Sequence, residues 1–171
     1  MVDSSITDSS KSTYDLIILP GGTAGVERFQ KSRILKKLLR EQMKAGRIYG
    51  GICSSPIILH NQGLLKDKLA TAHPAAIAKL TGKVAENSGV VIDGKVITGK
   101  GLCTVIDFSL AIISKLFGNG RARSVAEGIV FESIRGPESQ NLLKYLQMLI
   151  RRLHKHRTRT QIRDAFGYQS T

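Results

Sequence analysis

The chain has 171 residues, enough to bury one sizeable core, and is most simply one domain with appendages. Hydrophobic residues make up 42% and the net charge is +13 at pH 7. Two cysteines are too few for a disulfide framework, and no apolar run approaches the ~18 residues of a membrane span.

The opening "MVDSSITDSSKST" (1–13) is Ser-rich but carries two Asp and no Arg, and it lacks an apolar signal core. It reads as a polar segment of a soluble, intracellular protein rather than as a targeting peptide. "YDLIILPGG" (14–22) is a continuous apolar run stopped by Pro-Gly-Gly, the pattern of a strand covered on both faces in a parallel sheet. "SRILKKLLREQMKAG" (32–46) predicts a helix with Ile34, Leu35, Leu38, Leu39 and Met43 on its apolar stripe, Ser32 as N-cap and Gly46 as stop. "RIYGGIC" (47–53) predicts the next strand, and "SSPIILHNQGLL" (54–65) a helix with Pro56 in its first turn. "LATAH" (69–73) reads as a third strand.

"GVVIDGKVITGKG" (89–101) is two β-rich runs around Asp93-Gly94, a strong hairpin signal. "TVIDFSLAIISKLFG" (104–118) predicts an apolar helix ending at Gly118. Strand–helix alternation of this kind implies an α/β sandwich with a mostly parallel sheet.

In such a sheet, chemistry collects at the C-terminal ends of the strands. Cys53 falls at the end of one strand and just before a helix, the placement of a nucleophile elbow. Gly50, Gly51, Ser54 and Ser55 are small enough for the tight turn this needs. A helix start also favours the thiolate, and its N–H groups suit an oxyanion. A buried structural thiol fits the same spacing.

"YDLIILPGGTAG", "GGICSSP", "ATAHP" and "VITGKGLCTVIDFSLAII", in this order from about Tyr14 to Phe131, resemble the ThiJ/PfpI superfamily. They are most similar to its DJ-one branch, the group of the Parkinson-associated protein deglycase. The resemblance implies a flavodoxin-like, usually dimeric domain over 14–132 with a redox-sensitive cysteine and no cofactor. Members are reported as glyoxalases, protein deglycases, chaperones and oxidative-stress sensors. Carried over by motif, Cys53 is the nucleophile, and Gly22 and Ser54 supply backbone N–H groups to the oxyanion pocket. His73 is the neighbouring proton shuttle. The substrate class implied is a small reactive dicarbonyl or a glycated group. The alternative is a non-enzymatic redox sensor or chaperone-like protein with an oxidisable Cys53.

The chain departs from the pattern in three places. A peptidase of the PfpI type would have histidine directly after the cysteine, where Ser54 stands. "GLCT" (101–104) replaces the family's "GPGT", with Cys103 read as a space-filling small residue. The family's first strand–helix–strand segment, with a glutamate that hydrogen-bonds the cysteine, has no counterpart in the thirteen residues before Tyr14. Glu27, Glu41 and Glu86 do not match that glutamate. The expectation is an N-terminally truncated member, a homodimer or a chain completed by a tandem domain as in plant relatives, which is inactive as it stands or needs another polypeptide to complete its sheet.

No Cys/His/Asp cluster has metal-ligand spacing, so no metal site is expected. His60 is read as a surface residue of the helix after the elbow. Residues 133–171 hold eight Lys/Arg against Glu138 and Asp164, about half the excess charge in the last quarter of the chain. Leu142, Leu143, Leu146, Leu149, Ile150 and Leu153 form an apolar stripe there. The tail reads as a basic amphipathic helix docked on the domain, with an anionic membrane surface or non-specific phosphate contact as weaker readings. No motif for specific nucleic-acid binding is present. The cytoplasm is the expected compartment, the plastid the alternative.

Overall fold

Two apolar runs separated by a helix can pair in parallel only if the connection crosses one face of the sheet. The computed structural model, which describes residues 4–130, shows this arrangement. Strands β1 (Leu16–Leu19), β2 (Ile48–Ile52), β3 (Val90–Asp93) and β4 (Val96–Gly99) form one sheet in the order β1-β2-β4-β3. β1 with β2 and β2 with β4 are parallel, in registers Leu16↔Ile48 and Tyr49↔Val96. β3 and β4 form the predicted antiparallel hairpin, closed by Asp93↔Val96. Gly94 at φ +62° fills the first central position of its turn, a conformation that side chains disfavour.

Strand alternation divides the apolar residues between two cores. Ile17, Leu19, Tyr49 and Val96 face one side, where they pack with Val26, Leu35, Leu39, Ile58 and Leu59. Leu16, Ile18, Ile48 and Ile97 face the other, against Phe108, Ala111 and Ile112. Helices α1 (Ile6–Ser9), α2 (Thr23–Lys31), α3 (Arg33–Lys44), α4 (Pro56–Asn61) and α5 (Pro74–Ile77) precede the hairpin, and α6 (Val105–Phe117) and α7 (Asn119–Gly128) follow it. With helices on both faces of a mostly parallel sheet, the molecule is the expected three-layer, flavodoxin-like α/β sandwich.

Several elements differ from the sequence reading. α3 starts at the predicted N-cap, where the Ser32 hydroxyl accepts the Leu35 N–H at 3.2 Å. Its buried stripe, however, runs through Leu35, Leu39 and Gln42, while Met43 is exposed. Gln42 takes the interior place because its amide donates to the carbonyls of Tyr14 (2.8 Å) and Ile48 (3.0 Å), satisfying the chain at the starts of β1 and β2. The helix predicted over 54–65 is only Pro56–Asn61. α2 lies where no element was assigned.

Segment 69–73 is not a strand of the sheet. The Thr71 N–H donates to the side chain of Thr98 at 2.9 Å, and Thr98 shares a sheet face with Val96. The segment therefore lies over the face of β4, where it meets side chains and cannot join the ladder. Its one bridge is Ala70↔Val84.

The chain divides into two units, Met1–Ile129 and Val130–Thr171, and only Val130 of the second is described. The basic tail of 133–171 lies outside the described residues. No helix among the described residues is long and apolar enough to cross a membrane.

Candidate functional site

β2 ends at Ile52 and α4 begins at Pro56, so three residues must reverse the chain. Cys53 makes the turn with φ +65°, a left-handed conformation that costs a non-glycine residue about 1–3 kcal/mol. The surroundings hold it there. The Cys53 N–H donates to the Gly99 carbonyl at 2.9 Å, and its carbonyl accepts the His73 N–H at 2.8 Å. A Cβ at Gly21 would stand 2.6 Å from the Cys53 Cβ and 3.1 Å from its Sγ, so only glycine fits beside the thiol. The buried Ser55 hydroxyl lies 2.7 Å from the Leu19 carbonyl and 2.9 Å from that of Ile52, and ties the end of β1 to the elbow. Gly51 makes room for this hydroxyl, since a Cβ there would lie 2.5 Å from it. Ser55 is among the small residues that the sequence places at the turn, whereas Gly21 is not singled out there; its signal is the Pro-Gly-Gly that ends the first apolar run.

The half-buried thiol opens into a cavity of about 660 Å³. Gly22, Cys53, Ser54 and His73 all line it, so the four residues expected to act together share one wall system. Val26, Ile57 and Ala76 supply apolar surface, and Thr23, Glu27, Gln30, Asn61 and Lys79 supply polar groups.

The donors are distributed unevenly. Gly22 N–H donates to the Ser54 hydroxyl at 3.2 Å. Ser55 N–H is spent on Ile52, Ile57 N–H on Ser54, and Pro56 has none. Ser54 N–H has no protein acceptor among the described residues, which leaves it as the donor of the elbow itself. The start of α2 adjoins it: the N-cap Gly22 has φ +97° and no side-chain cap, and Gly22 and Thr23 line the cavity.

His73 caps α5: its Nδ1 accepts the Ala75 N–H at 3.2 Å. A nitrogen that accepts a hydrogen bond carries a lone pair, so the neutral ring bears its proton on Nε2. The turn containing "GLCT" adjoins this ring, since a Cβ at Gly101 would lie 3.9 Å from His73 Cδ2. Cys103 itself is exposed and lines no part of the cavity, which overturns its reading as a space-filling residue. It sits in the short 3-10 turn Leu102–Thr104, whose Leu102 is 88% exposed. His60 is half-buried rather than superficial, with Nε2 3.3 Å from the Thr81 hydroxyl.

Glu27 belongs to the cavity although nothing in the sequence placed it there. Thr23, Val26, Glu27 and Gln30 stand at i, i+3, i+4 and i+7 on α2, one face of that helix. The Glu27 carboxylate has no hydrogen bond or ion pair among the described residues.

Residues 1–115 match the model of the DJ-1/PfpI family. The chain is 38% identical to Protein DJ-1 homolog B of Arabidopsis thaliana over 128 residues, 74% of this chain and 29% of that protein. It is 33% identical to Glutathione-independent glyoxalase DJR-1.2 of Caenorhabditis elegans over 125 residues, 72% of this chain and 66% of that protein. The crystal structure of Drosophila melanogaster DJ-1beta superposes with a TM-score of 0.73 at 30% identity, covering 76% of this chain and 71% of that one. The chain thus spans less than a third of the length of the Arabidopsis relative.

Proposed function

The chain belongs to the DJ-1/PfpI family, and from that membership and the site we propose a cysteine-dependent glyoxalase or deglycase acting on small reactive dicarbonyls such as methylglyoxal. The observation that carries the proposal is the strained elbow of Cys53, at φ +65°, opening into a cavity shared with Ser54, Gly22 and His73. A left-handed, non-glycine residue at the end of a parallel strand is retained where its side chain must be presented. The glyoxalase relative supports the choice of substrate.

In this reading the Cys53 thiolate attacks the aldehyde carbon, and the carbonyl electron pair moves to oxygen. Ser54 N–H meets the oxyanion, joined by Gly22 N–H when the Ser54 hydroxyl gives way. The proton that left the thiol ends on that oxygen, and His73 assists through its Nε2–H, which is offered to the second carbonyl oxygen. A base in the cavity moves a proton from the former aldehyde carbon to its neighbour, leaving a thioester of the 2-hydroxy acid. Water then releases the acid and restores the thiol. The sum is dicarbonyl plus water giving hydroxy acid, with no outside oxidant or reductant.

The proposal includes a homodimer, because α6 turns Phe108 into the core yet leaves the apolar Val105, Ile106 and Phe117 exposed. The deciding experiment compares turnover of methylglyoxal by the full chain with its Cys53→Ser variant. Conversion to lactate by the first and not the second is expected. Equal background rates would leave the oxidation-sensor reading in possession of Cys53.

A further inference from the structure

The reaction above needs a base for a carbon-bound proton, and the histidine beside the thiol is not arranged to be one. To take a proton, neutral His73 must accept it on Nδ1, the nitrogen already bonded to the Ala75 N–H at the start of α5. Protonation there would break the cap of that helix. The ring is therefore set as a donor through Nε2.

We infer that Glu27 is the catalytic base of this site. Among the described residues it is the one carboxylate that lines the cavity with Cys53. It projects from the same face of α2 as Thr23 and Val26, one helical turn in from the Gly22 end that meets the elbow. Its oxygens hold no partner among the described residues, so no existing bond must break before they accept a proton. The inference rests on the glyoxalase reading and identifies the base left unnamed there.

The Cys53 thiol adds to the aldehyde carbon, its proton ending on the aldehyde oxygen as a hydroxyl, and a Glu27 oxygen then removes the hydrogen on that carbon as a proton. The C–H electron pair becomes the C=C bond of an enediol, and the second carbonyl oxygen takes the proton offered by His73 Nε2–H. Glu27 then returns its proton to the second carbon, while the hydroxyl on the first carbon loses its own proton to the deprotonated ring and becomes the thioester carbonyl. Glu27 and His73 both end as they began.

The test separates addition from proton transfer in the full chain. Wild type, Glu27→Gln and Glu27→Asp are each exposed to methylglyoxal, with the Cys53 adduct followed by intact mass and lactate by turnover. Glu27→Gln is expected to form the adduct at the wild-type rate and to lose about a hundredfold or more in turnover, the usual worth of a general base. Glu27→Asp, which keeps the carboxylate, is expected to recover part of the loss. Unchanged turnover in Glu27→Gln overturns the inference, and so does an equal fall in adduct formation, which would mark a structural role. A wild-type chain that forms the adduct but no lactate would sink the glyoxalase reading and this inference with it. Active wild type with active Glu27→Gln sinks the inference alone.

Discussion

The backbone N–H of His73 donates to the carbonyl of Cys53 at 2.8 Å, joining two residues of the cavity through main chain alone. The same edge of segment 69–73 is held at alternate residues: Leu69 N–H by the Asp93 carboxylate at 2.8 Å and Thr71 N–H by the Thr98 hydroxyl at 2.9 Å. Asp93 and Thr98 lie in the hairpin β3–β4. The position of His73 relative to the thiol is therefore set by the hairpin as well as by the elbow.

Thr98→Val tests that dependence. The two side chains have the same shape, but valine offers no acceptor, and Thr71 and Thr98 are both fully buried. An orphaned buried N–H costs about 1–3 kcal/mol. Denaturant unfolding should show a loss in that range, and turnover should fall with it as His73 loses its tether. Stability within about 0.5 kcal/mol of wild type, the scatter of surface substitutions, would mean that the segment is held elsewhere.

Gly21→Ala acts on the thiol from the other side. The added methyl would stand 2.6 Å from the Cys53 Cβ, and the atom it meets belongs to an elbow held by backbone bonds on both sides. Something must shift, and overpacking of this kind costs about 1–3 kcal/mol. The alkylation rate of Cys53 should drop as the side chain is displaced, with Cys103 alkylated as before. An unchanged Cys53 rate would mean that the elbow yields without moving its sulfur.

The strain at Cys53 separates stability from function. Glycine is at ease at φ +65°, whereas alanine keeps the Cβ that makes the conformation costly. Cys53→Gly should therefore be more stable than Cys53→Ala by about 1 kcal/mol, with both inactive. Equal thermal midpoints for the two variants would show that the turn stores no strain.

The sheet and its first helix–strand repeat were legible because β1 and β2 are short apolar runs and α3 carries a period of 3.6 residues. "LATAH" misled because an extended chain lying over a sheet face alternates as a strand does; only its partners distinguish the two. α2 was missed since it is short and buries only Val26, so it carries no apolar stripe of the length seen in α3. Gln42 displaced Met43 from the interior because two strand-start carbonyls needed a donor, a demand that no local pattern records. At the site, small residues pointed to Cys53, while Gly22, Ser54 and His73 came from the family motifs. Glu27 was invisible because the cavity is assembled from α2, the elbow and α5, far apart in sequence.

Acid acts on this fold through Asp93. Asp93 accepts the Leu69 N–H and, more weakly, the Lys68 ammonium at 3.4 Å, and the first of these chiefly holds its carboxyl below the ordinary value of 3.8. A carboxylate whose pKa is lower in the folded chain than in the unfolded one stabilises the fold above the unfolded value. That contribution is lost as the pH falls through the folded value. Asp93→Asn should thus unfold more readily than wild type at pH 7, and the gap should close on acidification below about pH 4, where wild type loses the same charge. The carboxylate also anchors the segment that carries His73, so turnover by wild type should decline over the same window and that of Asp93→Asn should be flatter there. A stability gap that stays constant from pH 7 down to about pH 2 would assign the effect to the shape of Asp93 instead of its charge.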